Sequence, residues 1–433
     1  MERVDVDNIK IWLQDELKYL SDVVNKKLST HDGMEYLFLN SLTDGDKIYE
    51  YLIRPAGKMN TAELYDHILS LPTSDHHKSK EDTLNAIMGG AMVVFFGKEI
   101  VTIKVVQYES SGVAPASTEA TVHGPHDALS ESLQINLNLL RHRYHKPSLA
   151  SEELKLDLDT SPKLVVMYDK EQVDHTKLAS LKNTLLTIDG ESLQSVGALA
   201  KKLNNKKNLF PTVLITERPD RISYNLTKGK IAVLLEGSPF CMILPTVFFD
   251  FMSSMDDLYQ TFWVGKFLLT LRYLGLFIST TTPAFYVAAT AYNPGFFQVQ
   301  LALSIAGSRA SVPYSSYFEI LFMLLFVEFL VEASIRLPKM ISPAATTVGG
   351  LILGQAATEA GLVSNIMIII IAAVAITSFV VPINEMAFAL RITKYVLVSL
   401  AVIGGMTGII IGIAILLVYI IRLDSFNEPF VKI

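Results

Sequence analysis

Along the first 240 residues, short apolar runs alternate with polar, turn-rich stretches; beyond that point, apolar runs of bilayer length take over. From Val4 to Leu28, Ile9, Trp12, Leu13, Leu17 and Leu20 recur at helical spacing, which predicts an amphipathic helix. Glu35 to Asn40 reads as a strand, and two apolar runs flanking Gly97-Lys98, Val93–Phe96 and Ile100–Val106, predict a hairpin. A Ser-, Thr-, Ala-, Pro- and Gly-rich stretch, Ser110 to Pro125, reads as a linker. Leucines at 129, 133, 137 and 140 mark a helix from Asp127 to Tyr144, whose basic last turns oppose the negative end of the helix dipole. A second α/β unit is expected next. It comprises a strand at Lys163–Tyr168, helices at His175–Leu186 and Glu191–Leu203, and strands at Thr212–Thr216 and Ile231–Leu235. Met242 to Met252 reads as an amphipathic stretch suited to a membrane surface.

After Gly265 the pattern predicts five membrane spans: Phe267–Tyr292, Tyr317–Ile335, Ala344–Ala360, Val363–Val381 and Tyr395–Ile421. Phe296 to Ile305 is apolar but too short to cross. With the first span starting inside, Arg336/Lys339 and Arg391/Lys394 fall in cytoplasmic loops and only Arg309 falls outside, in keeping with the positive-inside rule. The fold class expected is therefore a soluble α/β amino-terminal half in two subdomains, 1–120 and 121–240, then an all-α polytopic membrane domain of about five helices at 241–433.

Composition sharpens this picture. Of the 433 residues, 50% are hydrophobic and 18% charged, and most of the charge precedes Gly265. A net charge of −6 gives no reason to expect nucleic-acid binding. The single cysteine, Cys241, excludes an internal disulfide. The amino terminus carries alternating charge without an apolar core, so it does not read as a signal peptide.

Charges inside apolar spans cost about 2.5 to 3.5 kcal/mol each at the helix centre, so they are candidates for function. Glu319, Glu328, Glu332 and Glu359 should face protein, water or the interface. Glu328 and Glu332 share one helix side, and Arg272 and Arg336 are candidate partners. Two readings stand for the acidic pair: an ion pathway, or a salt bridge that fixes helix packing. The third span is small and polar, with Gly349, Gly350, Gly354, Gln355, Thr358 and Glu359. It suits either a narrow pore, in which a ring of Glu359 carboxylates selects cations, or close helix packing. The charge cluster Glu217, Arg218, Asp220 and Arg221 follows a strand and precedes a Pro219-led helix. It is a candidate for coupling or assembly, or simply a helix start with local ion pairs.

Enzyme signals are poor: no phosphate-binding glycine loop and no nucleophile elbow occur. His76/His77, His123/His126 and His142/His145 lack accompanying cysteines, so neither a metal site nor a cofactor is expected. Lys201, Lys202, Lys206 and Lys207 read as a solvated helix end.

Several stretches resemble the A subunit of the GerA-family spore germinant receptor. They are Thr216-Glu-Arg-Pro-Asp-Arg221, Glu236-Gly-Ser-Pro-Phe240, Arg336-Leu-Pro-Lys339, the run from Gly350 to Ser364, and the run from Gly124 to Arg141. The resemblance implies a multi-pass protein of the spore inner membrane, with its amino-terminal half on the core side. It implies partners, namely a transporter-like B subunit and a lipoprotein C subunit. It further implies a homo-oligomer, pentameric in the family pattern, that forms a nutrient-gated cation channel, with the nutrient site attributed mainly to the B subunit. On that basis Gly350, Gly354, Gln355, Thr358 and Glu359 are pore-lining candidates. A paralogous channel-like branch associated with the SpoVA proteins shares the architecture, and a non-conducting scaffold is the rival class. Departures from the family pattern are Ala310 and Ser311 near Arg309, and a chain ending at Ile433 where the family runs on.

Overall fold

A computed structural model describes residues 6–31, 33–76, 79–97, 99–107, 114–119, 121–156, 162–188, 193–203, 208–338 and 340–432. Val4, His77, Lys98, Ser110, Glu191, Lys206, Lys207, Lys339 and Ile433, named above, lie outside these. The chain divides into two compact units. An amino-terminal unit takes Met1–Lys207, Val213–Thr246 and Ser425–Asn427; a helical unit takes Asn208–Thr212, Val247–Asp424 and Glu428–Ile433.

The amino-terminal unit holds two antiparallel five-stranded sheets. The first comprises β1 (Val23–Lys27), β2 (Glu35–Leu39), β3 (Ser74–His76), β4 (Ala91–Phe96) and β5 (Glu99–Lys104), in the order β1-β2-β4-β5-β3. Strand alternation sorts its side chains to two faces. Tyr36, Phe38, Met92, Val94, Val101 and Ile103 join Leu64 and Ile68 of α2 (Thr61–Leu69) on one face. Leu37, Leu39, Val93, Phe95 and Ile100 meet Ile9 and Leu13 of α1 (Val6–Glu16) and Leu84 and Ile87 of α3 (Lys80–Met88) on the other. The expected hairpin is present, with Phe96 opposite Glu99 and Gly97 at φ 56° in the turn. The expected first helix is shorter than its periodicity suggests. It stops at Glu16, and Val23–Lys27 becomes a strand because it pairs with β2.

α4 (Leu133–Arg143) leads into the second sheet: β6 (Leu149–Leu154), β7 (Leu164–Asp169), β8 (Leu214–Thr216), β9 (Ile231–Leu235) and β10 (Cys241–Leu244), in the order β6-β7-β9-β10-β8. α5 (His175–Leu186) and α6 (Val196–Leu203) cover one face through Leu178, Leu181, Leu185 and Leu199. α7 (Pro219–Leu226) packs on β9 and β10 and against α4. Met242 lies in the core of this sheet, so the expected membrane-surface stretch is a buried strand at its start. Its other end is the short helix α8 (Phe248–Met252), which belongs to the helical unit.

The helical unit is built on α9 (Phe262–Ala291), α10 (Val299–Arg309), α11 (Ser316–Arg336), α12 (Ser342–Glu359), α13 (Asn365–Ser378) and α14 (Asn384–Arg422). Its core gathers Tyr286 and Val287 of α9, Ile320, Met323 and Leu324 of α11, Met367 and Ile371 of α13, and Leu397, Val398 and Ala401 of α14. By length and composition, α9 and α14 are apolar enough to cross a membrane, and α13 is a shorter apolar helix. α14 starts ahead of the expected Tyr395 and is not one rod. Gly405 has φ 55° and ψ −136°, and the two arms, 384–404 and 406–422, fold back on each other. A Cβ at Gly408 would overlap the Leu400 carbonyl, and one at Gly412 would lie 2.7 Å from the Leu397 side chain. In a straight helix, positions 397 and 412 stand about 22 Å apart at 1.5 Å per residue. Hydropathy alone cannot register such a reversal, because both arms are apolar.

Candidate functional site

α12 has two distinct faces. Positions 346, 349, 350, 353, 354, 357 and 358 are partly or wholly covered, while 347, 348, 351, 352, 355, 356 and 359 are exposed. The covered face is the glycine face: Cβ atoms at Gly349 and Gly350 would meet Leu330 of α11 at 3.4 and 3.9 Å, and one at Gly354 would meet Ile368 of α13 at 4.0 Å. Small residues here let helices approach, as they do in membrane proteins. The Thr358 hydroxyl turns back to its own helix, donating to the Gln355 carbonyl at 2.8 Å. Gln355 and Glu359 occupy the open face, where the Gln355 amide donates to the Glu359 carboxylate at 2.9 Å. The five pore-lining candidates thus divide: Gly350, Gly354 and Thr358 face neighbouring helices, and Gln355 with Glu359 faces outward beside Leu351 and Ile352.

The charged side chains of this unit form separate pairs. Glu328 of α11 accepts from Arg391 of α14 at 3.1 Å and lies 3.5 Å from the Lys394 ammonium, whose side chain is only 4% exposed. Glu332 pairs with Arg336 at 2.5 Å one turn on, and both are exposed. Arg272 does not reach either glutamate; it pairs with Asp257, near the start of its own helix. Glu319 is fully buried and accepts from Arg309 at 3.0 Å and from the Ser364 amide at 3.2 Å. Arg391 and Lys394 are therefore not loop residues. Their spacing of three, which puts both on one face of a helix, is the signal in the sequence for this placement.

The cluster after β8 is buried inside the amino-terminal unit, where it clamps a strap formed by residues 114–119 and 121–128. Glu217 accepts from the Ser117 amide at 2.6 Å, and from the amides of Thr118 and Glu119 and the Thr118 hydroxyl. Arg218, 1% exposed, donates to the Glu119 and Pro125 carbonyls and the Thr121 hydroxyl, each at 2.9 Å, and pairs with Asp220 at 2.7 Å. Arg221 pairs with Glu119 at 2.7 Å. Glu119 was not legible as a partner because it stands about a hundred residues away in sequence.

Between the two subdomains of this unit lies an open cleft of about 520 Å³. Ser21, Asp22 and Asn40 line it from the first, and Glu153, Lys163 and Glu236 from the second. Leu133, Gln134 and Leu137 of α4 line it as well. Its volume is in the range of small-molecule sites. Arg141 joins the subdomains, pairing with the lining residue Asp22 at 2.5 Å and donating to Ser151 at 2.9 Å. Among the described residues no group of three His, Cys, Asp or Glu side chains is placed to hold a metal ion.

Burial would raise the pKa of Glu217, but hydrogen bonds from Thr118, Glu119 and Ser117 outweigh it and hold the carboxyl below its ordinary value. Asp169 is likewise held low, burial being outweighed by bonds from the Tyr144 hydroxyl and the Glu171 amide. A lowered folded-state pKa contributes stability that is complete above the unfolded value and lost as pH falls through the folded one. The amino-terminal unit should therefore weaken below about pH 4, the ordinary carboxylate range. Denaturant unfolding followed by Trp12 fluorescence in a Trp263→Phe chain measures this, and Glu217→Gln should flatten the acid dependence.

The Bacillus/Clostridium GerA spore germination protein family matches this chain over residues 12–433. Spore germination protein KA of Bacillus subtilis (strain 168) is 32% identical over 426 residues, covering 95% of this chain and 78% of that protein. Spore germination protein GerLA of Bacillus cereus is 32% identical over 433 residues, covering 96% and 88%. A solved structure, the N-terminal domain of the A subunit of the Bacillus megaterium spore germinant receptor GerK3, aligns at TM-score 0.43 and 20% identity, over 57% of this chain and 97% of that one. With a family match running from α1 to the last residue, the chain belongs to the GerA spore germination protein family.

Proposed function

We propose that this chain is the A-type subunit of a nutrient-responsive germinant receptor and forms its cation channel as a ring of identical copies, pentameric in the pattern the resemblance implies. The reading places the helical unit in the spore inner membrane, beside a transporter-like B subunit and a lipoprotein C subunit, and includes no catalytic step. The observation that carries it is the two-faced α12. Its glycine face is already packed on α11 and α13, so its open face, ending in Gln355 and Glu359, is free to meet other copies around an axis. A ring of Glu359 carboxylates there favours cations. The apolar positions Val348, Leu351 and Ile352 on the same face support the rival scaffold reading, in which it contacts lipid.

Flux from liposomes containing the purified chain separates the two. Under the channel reading the wild type passes potassium, and Glu359→Gln cuts its preference for potassium over chloride several-fold. Potassium flux that is indifferent to Glu359→Gln and to Gln355→Leu removes α12 from the pore. A wild-type ring that conducts nothing, alone and with its partner subunits, leaves the scaffold.

A further inference from the structure

We propose that residues 208–212, anchored by Phe210, carry strain from the amino-terminal unit into the last arm of α14; the functional meaning of this coupling rests on the channel reading above. These residues cluster with the helical unit, although the chain before and after them belongs to the amino-terminal unit. Phe210 is fully buried, an unusual place for a large aromatic in a connecting segment. Its ring centroid lies 6.1 Å from that of Tyr419, and the Leu209 amide donates to the Tyr419 hydroxyl at 2.8 Å. Tyr419 stands in the last turns of the 406–422 arm. Just beyond that arm, the Leu423 carbonyl accepts from Phe430, and the Phe430 carbonyl accepts from Phe248 of α8 at 2.7 Å. The foot of the arm is thus held at two points, Tyr419 by Leu209 and Phe210 and Leu423 by Phe430.

The other end of the same short segment is fixed as well. β8 begins at Leu214, is the edge strand of its sheet, and leads directly into Glu217, Arg218 and Arg221. Those side chains clamp the strap, which lies between the two subdomains in sequence. Six residues separate Phe210 from Glu217, at most about 25 Å of chain, so the two anchors are joined by a short tether. A shift of the strap against the second sheet pulls on β8, then on Phe210, and through Tyr419 on the arm. Phe210 and Tyr419 act here as positioning residues.

Hydrogen exchange of the full chain in detergent tests the route without nutrient or ion. Glu217→Gln loosens the clamp and should speed exchange at 413–422 about fivefold or more, the low end of ordinary coupling between sites. In a Phe210→Ala background that increment should vanish while the increment at 114–128 remains. Phe210→Leu should restore it, which separates coupling from local unfolding. An unchanged 413–422 in Glu217→Gln, or an equal increment with and without Phe210, overturns the proposal. In spores, Phe210→Ala should lower the nutrient response about tenfold at unchanged protein abundance; a normal response overturns the coupling role. Exchange coupling that persists in an oligomer that never conducts would instead count against the channel reading alone.

Discussion

Gly408→Ala is expected to abolish most of the folded yield of this protein, whereas Gly404→Ala, four residues earlier, leaves it unchanged. The difference follows from what a methyl group would meet. At Gly404 nothing lies within 4 Å; at Gly408 the new carbon overlaps the carbonyl oxygen of Leu400 and comes within 2.8 Å of its carbonyl carbon. Those are backbone atoms of the opposing arm, and a backbone cannot rotate away as a side chain can. Gly412 is an intermediate case, since its neighbours at 2.7 and 2.8 Å are the flexible ends of Leu397 and Leu400. Overpacking in a close-packed interior costs about 1 to 3 kcal/mol, and a clash with fixed backbone belongs at or above the top of that range. The expected order of melting temperatures in detergent is Gly404→Ala, then Gly412→Ala, then Gly408→Ala. Equal stability of the three would mean that the arms do not close on each other as described. Gly405 completes the device: at φ 55° and ψ −136° it holds a conformation that only glycine takes without strain, beside the Tyr292 ring.

The same region shows where sequence reading stops. Strands β2, β7 and β9 were legible because each is a short continuous apolar run bounded by polar residues, and helix α5 because Leu178, Leu181 and Leu185 recur at helical spacing. β1 was lost inside a longer helical pattern, since Val23–Lys27 is half polar and becomes a strand only by pairing with β2. The helix reversal was lost for a different reason. Gly404-Gly405 looks like any small pair in an apolar span, and hydropathy sums do not depend on chain direction. At the candidate site the residue types were readable but their facing was not. α12 is so uniformly small that its sequence carries no marked apolar stripe. The split between Gly350, Gly354 and Thr358 on one side and Gln355 and Glu359 on the other is set by Leu330 and Ile368 on other helices. Charge partners failed similarly: Asp257 for Arg272, and Arg391 with Lys394 for Glu328, are choices made by tertiary packing.

Glu328→Gln is expected to destabilise the helical unit by about 3 kcal/mol, because it leaves two cations facing each other without their carboxylate. Lys394 is almost wholly enclosed, and the Arg391 side chain is 19% exposed, so water cannot replace the lost partner fully. The carboxylate itself is 24% exposed, which places the loss near the lower end for a broken buried pair. Glu332→Gln is the control: its pair with Arg336 is 58% and 77% exposed, and such pairs contribute about 0.5 kcal/mol at most. Removing the surplus charge together with the carboxylate, in Glu328→Gln/Lys394→Met, should recover a large part of the loss, a non-additivity expected only of groups in one network. Thermal unfolding in detergent reads all three. The same variants decide between the two meanings of an acidic pair within apolar helices. If Glu328 serves as a brace between α11 and α14, the double variant that regains stability also regains whatever potassium flux the wild type shows. If Glu328 serves as a stepping stone for ions, stability returns and flux does not. Lys394 favours the brace, since an ammonium 3.5 Å from the carboxylate already fills the place a passing cation would need.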